Sequence, residues 1–90
     1  MYEWDEAKRE ANLRKHGLDF WAAHRVYENQ DKVTTRVRLV PEARFLDVAL
    51  VEQGGSILAL VYTIRKGNIR FISFRPASRK ERRSYAAAKS

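Results

Sequence analysis

A chain of 90 residues with 44% hydrophobic residues has the length for one core and not for two, so residues 1–90 are expected to form a single folded domain. The absence of cysteine excludes disulfides, thiolate metal sites and a cysteine nucleophile and fits a cytoplasmic setting; the acidic start Met1–Glu6 does not read as a signal peptide, and no run approaches the roughly 18 apolar residues of a membrane span. The net charge of +7 is uneven: residues 1–30 carry five Lys/Arg against six Asp/Glu, whereas residues 65–90 carry nine against Glu81 alone, the pattern of a polyanion binder with nucleic acid the commonest partner.

Tyr2–Trp4 reads as a short strand. Asp5 is placed to cap a first helix that Gly17 closes, with Ala7 and Ala11 as a narrow apolar stripe and Lys15 and His16 in the last turn. Asp19 is a candidate cap for a second helix over 20–28, with Phe20, Ala23 and Tyr27 on one side, which would complete a helical hairpin. After the polar run 29–32 the period changes to two. Val33, Thr35, Val37 and Leu39 alternate with Thr34, Arg36 and Arg38, as in a half-exposed strand. Pro41-Glu42 ends it, and strands over 45–52, 56–65 and 69–75 follow, joined by Gln53-Gly54-Gly55 and Lys66-Gly67-Asn68. Such short links predict an antiparallel four-stranded meander. The run Ile57–Tyr62 is apolar on both faces and therefore central. Ser78 and Glu81 form a capping-box pattern for a basic C-terminal helix over 79–88. The fold class is α+β, in the order βααββββα.

Closing the last hairpin over Lys66–Asn68 as a three-residue loop sets Arg65 opposite Ile69, Val61 opposite Ser73 and Ala59 opposite Arg75. Arg65, Ser73 and Arg75 then share one face, and Leu58, Leu60, Tyr62, Ile64, Ile72 and Phe74 share the apolar other. Histidine is the one side-chain type that ordinarily titrates near neutrality, which makes His16 a proton-transfer candidate; the alternative is a simple helix cap. His24 reads as a surface residue. No metal or cofactor site is expected: His16 and His24 lack an accompanying carboxylate motif, and no Gly-rich phosphate loop occurs.

Three segments carry a resemblance to a known family: Trp4-Asp-Glu-Ala-Lys8 leading to Asn12-Leu-Arg-Lys-His-Gly17-Leu-Asp-Phe20, then Leu60–Arg65, then Ile69–Ser78 with Glu81-Arg-Arg and Tyr85. Together they resemble the BrnT toxins. Trp21 and Ala22 depart from the pattern where relatives carry acidic residues, and Ala49 where glycine is common. The resemblance implies a RelE-like fold and a type II toxin that cleaves RNA and inhibits translation. It also implies neutralisation by, and oligomerisation with, a BrnA-like antitoxin whose ribbon-helix-helix part binds DNA, so that DNA is met only through that partner. On this likeness Arg65 and Arg75 stabilise the phosphate and transition state, Tyr85 is an acid or stacking partner, and Ser73 lies on the same RNA face. Lys8 and Lys15, with Arg14, are RNA contacts if the first helix crosses the sheet edge and a solvated charged face otherwise, while Arg79, Lys80, Arg82 and Arg83 either bind RNA phosphates or meet an acidic segment of the antitoxin. Strand-edge solubility for the two arginines and helix packing for Tyr85 are the competing readings. A non-catalytic nucleic-acid-binding module and a protein-interaction subunit are the competing functions.

Overall fold

The computed structural model describes residues 1–51 and 55–90. Strand β1 (Tyr2–Glu3) leads into helix α1 (Glu6–His16). A 3-10 turn (Phe20–Ala22) and a one-turn helix α2 (His24–Tyr27) follow, then strands β2 (Val33–Arg38), β3 (Arg44–Val51), β4 (Ser56–Arg65) and β5 (Asn68–Pro76), and helix α3 (Arg79–Lys89). The sheet order is β1-β5-β4-β3-β2, all neighbours antiparallel except β1, which runs parallel to β5. The architecture is thus mixed α+β with five strands. The expected meander is present as β2–β5, but β1 joins it through Tyr2↔Ile69 and Glu3↔Arg70. The expected residue Glu52 and the Gln53-Gly54 part of the β3–β4 link lie outside the described residues.

The second arm of the expected helical hairpin is not one helix. Asp19 does cap it, accepting from Trp21 N at 3.1 Å, but the fully buried residues Phe20, Ala23 and Val26 recur every three positions. That spacing matches the three residues per turn of a 3-10 winding, and Ala23 N bonds Phe20 O at 3.0 Å accordingly.

Helix α1 begins at Asp5, whose carboxylate accepts from Lys8 N, and ends at Gly17, whose φ of 70° closes the helix in the left-handed region with its N–H on Leu13 O. It is not held by an alanine stripe: Ala7 and Ala11 are exposed, and Asn12 is its one buried residue. The Asn12 amide donates to Phe74 O at 2.7 Å and accepts from Phe74 N at 3.1 Å. One side chain thereby substitutes for a strand along the β5 edge that the two-residue β1 leaves uncovered. Both Phe74 groups are buried, so leaving either unpaired costs about 1–3 kcal/mol.

The core between the sheet and the 3-10/α2 segment joins Phe20, Ala23 and Val26 to Ala49, Leu60, Tyr62, Ile69, Phe71 and Phe74. The β4–β5 turn has two residues, not three: Lys66 (φ 49°) and Gly67 (φ 80°) are both left-handed, and Arg65 faces Asn68. A bulge between the Val61↔Ser73 and Tyr62↔Phe71 pairs takes up the extra residue, Ile72. The expected outer pairs are therefore kept, while Ile69 and Phe71 turn into the core and Ile64 is half-exposed at 51%. Across the sheet, Val48, Ala59, Ala77 and Tyr85 form a smaller core beneath α3. A second bulge, between Arg36 and Arg38, breaks the expected alternation of β2.

Candidate functional site

Because β4 pairs as Ala59↔Arg75, Val61↔Ser73, Thr63↔Arg70 and Arg65↔Asn68, alternation sets Arg65, Arg70, Ser73 and Arg75 on one face. It is the face that bears α3, since Ala59 belongs to the α3 core. Arg65 lies six residues along β4 from Ala59, or about 20 Å at strand rise. The face therefore carries both Arg65 and Arg75 but does not bring them to one phosphate. Each is engaged locally. Arg65 forms an ion pair with Glu42 (Nε–Oε2 3.1 Å), and Arg75 makes a two-point contact to Glu81 at 2.7 and 2.9 Å.

What the structure does gather lies at the β5 edge. Lys8, Lys15 and His16 of α1 line a shallow groove of about 230 Å³ with Asn12, Ile72 and Ser73. The Asn12 clamp on Phe74 fixes the register, placing the residues one helical turn to either side of Asn12 next to Ser73. His16 is half-buried there. Ser73 is two residues from Arg75 on the same strand face, about 7 Å, with the Arg75 guanidinium turned to Glu81. Lys8, Lys15, His16 and Ser73 are each candidates from the sequence; Asn12, whose clamp brings them together, is not, because a polar helix residue leaves no mark in hydrophobic periodicity.

Tyr85 lies elsewhere. It is buried beneath α3, and its hydroxyl accepts from Leu50 N at 3.3 Å. Arg79, Lys80, Arg82 and Arg83 are exposed on α3, with Arg82 also donating to Ala77 O at 2.9 Å. Arg14 is exposed on α1. His24 Nδ1 is 3.0 Å from Trp21 O, and among the described residues no three His, Asp or Glu side chains gather as metal ligands. Trp21 is 69% exposed and meets Trp4 edge-on at 4.9 Å.

Glu81 does two jobs that its motif announced only in part. It closes the capping box, accepting from Ser78 N at 2.8 Å, and the same carboxylate holds the Arg75 guanidinium. The Arg75 hydrogen bonds, opposed by burial and helped by the Ser78 backbone, hold the Glu81 carboxyl at about 2. A carboxylate depressed in the fold contributes stability that is present above its ordinary value near 4.5 and is lost as pH falls toward 2. Thermal melts should therefore show Glu81→Gln less stable than the parent by a constant margin at pH 5–7. The margin should narrow between pH 4.5 and 2; one that ignores pH would show that the pair contributes nothing.

The fold is a five-stranded α+β domain in which Arg65, Arg70 and Arg75 share the sheet face that also carries α3. A family model described as "Ribonuclease toxin, BrnT, of type II toxin-antitoxin system" matches residues 4–81, and the chain belongs to that family. Among curated proteins none matches the chain. Membership brings with it an RNA target and an antitoxin partner. No helix is long and apolar enough to cross a membrane among the described residues.

Proposed function

We propose that the chain is a metal-independent endoribonuclease of RelE-like kind whose RNA crosses the α3-side face of the sheet with the scissile phosphate between His16 and Arg75. The observation that carries this reading is the groove in which His16, Lys8, Lys15 and Ser73 meet, about 7 Å along β5 from Arg75. His16 accepts the 2′-hydroxyl proton, the 2′-oxygen attacks phosphorus, and the P–O5′ bond breaks. The products are a 2′,3′-cyclic phosphate and a 5′-oxygen that takes a proton from solvent. Lys8, Lys15 and Arg75 neutralise the charge that builds on the phosphorane oxygens, while Arg79, Lys80, Arg82 and Arg83 hold flanking phosphates. Arg65 contacts the strand farther along the face, and Tyr85 serves the packing of α3. Cleavage of messenger RNA in the cytoplasm would inhibit translation. A cognate antitoxin with a ribbon-helix-helix DNA-binding part, as in the family the chain resembles, would neutralise the chain by covering this face and would make the only contact with DNA.

The test is single-turnover incubation of a labelled single-stranded RNA with the purified chain in EDTA. Fragments ending in 2′,3′-cyclic phosphate and beginning with 5′-hydroxyl are expected. RNA that is bound with a steep salt dependence yet stays intact would replace the enzyme by a binding module.

A further inference from the structure

Arg38 and Arg44 are paired directly across β2 and β3, an arrangement in which both side chains leave the same face at close range. Like charges so placed repel, and among the described residues neither arginine has a side-chain hydrogen bond or ion pair, while both Nε atoms are buried without a partner. Alternation along β3 from Leu46 and Val48, which pack with the α3 core, places Arg44 on the α3-side face, the face of Arg65. A carboxylate beside this group is Glu42, bonded to Arg65 at 3.1 and 3.4 Å. Its carboxyl is held below the usual range by the Arg65 hydrogen bonds foremost, and also by the fields of Arg65, Arg44 and Arg38. Three guanidinium groups thus surround a single carboxylate that satisfies only one of them.

We propose that Arg38, Arg44 and Arg65 form a second phosphate-binding site, for a backbone phosphodiester of single-stranded RNA, in which Glu42 is a competing internal anion. On each half-buried arginine the Nε donor is buried without an acceptor, which calls for an anion, and a phosphodiester offers the two-point geometry that guanidinium groups match. RNA rather than an acidic protein segment is the occupant because the site continues the face that carries Ser73 and Arg75, at its opposite end. This deepens the ribonuclease reading and rests on it for the path of the strand. The arrangement sets the length of RNA engaged, since a strand must span the hairpin from Arg75 to Arg65.

The experiment titrates a fluorescein-labelled, non-cleavable 2′-O-methyl RNA of twelve nucleotides with the full chain and its variants across a range of salt. Losing one phosphate contact lowers the slope of log K against log salt by about 0.7, which is roughly fivefold in affinity at 0.1 M salt. The double variant Arg38→Ala/Arg44→Ala should show at least that loss. Glu42→Gln should bind severalfold tighter, because it removes the competitor; an arginine cluster with a merely structural role would give no gain. Parent-like slopes for the double variant, or no gain from Glu42→Gln, overturn the site, as does polyglutamate that binds the parent and not the double variant while RNA affinity stays equal. Cleavage of unmodified RNA is measured alongside. Intact RNA with the expected binding pattern removes the enzyme reading and leaves the site, whereas cleavage with parent-like binding by all variants does the reverse.

Discussion

Asp47→Ala should lower the unfolding free energy by about 3–5 kcal/mol, the cost of leaving the partners of a buried charge uncompensated. Asp47 is fully buried on β3. Its carboxylate accepts from Thr34 at 2.6 Å and from Tyr62 at 3.1 Å and pairs with Lys32 Nζ at 2.8 Å. Lys32 is pinned in turn by Tyr27 O at 2.7 Å and lies 4.1 Å from the Tyr27 ring centroid. Burial first, and then the neighbouring carboxylate, push the Tyr62 hydroxyl well above the usual tyrosine value, so it remains a donor. The cluster ties the chain leaving α2 to the middle of the sheet, which is how a helical segment of one turn keeps its place. Urea denaturation monitored by tryptophan fluorescence gives the number, and the melting temperature should fall by 10 °C or more. Asp47→Asn, which keeps an acceptor for the two hydroxyls, should cost less. Asp47→Leu combined with Lys32→Met should cost less than the sum of the single changes. A loss below 1 kcal/mol for Asp47→Ala would mean that water replaces the carboxylate and that the network holds nothing.

Nothing in the sequence around Asp47 marked it, since an acidic residue inside an apolar strand has no local signature when its partners come from positions 32, 34 and 62. Features whose partners are near in sequence were legible. Asp5 and Gly17 bracket α1, Ser78 and Glu81 cap α3, and the doubly apolar run Ile57–Tyr62 falls in the central strand. The failures are those of long range. The partner of Asn12 is 62 residues away at Phe74, so α1 was expected to lie on alanines that in fact face solvent. The bulge at Ile72 depends on how Ile69 and Phe71 fit beneath Phe20, which periodicity along one strand does not contain. Arg65 and Arg75 were correctly set on one face, because face follows from alternation. Their separation of about 20 Å follows from counting residues along a paired strand, and it places the two arginines too far apart on that hairpin face to share one phosphate.

His16→Gln is expected to reduce RNA cleavage by a factor of about 10²–10⁴, the usual contribution of a positioned proton-transfer group. His16 is the last residue of α1. It follows Asn12 by four residues and so lies on the same helix face, the one that the two Phe74 hydrogen bonds fix against β5. A side chain at the end of a helix held by one buried amide is positioned more firmly than one on a loop. The measurement is the single-turnover rate at saturating enzyme over pH 5–8, with binding of the 2′-O-methyl RNA as the companion readout. A base acting on the 2′-hydroxyl predicts a large loss of rate, disappearance of the acid limb of the pH–rate profile, and RNA affinity changed by less than about threefold, since glutamine keeps a polar side chain of similar size but removes the proton acceptor. If instead the rate falls only in proportion to affinity, His16 is a phosphate contact. In that case the proton acceptor must be sought among the other groups that face Ser73. A parent-like rate at neutral pH would remove His16 from the chemistry and leave the groove as a binding element alone.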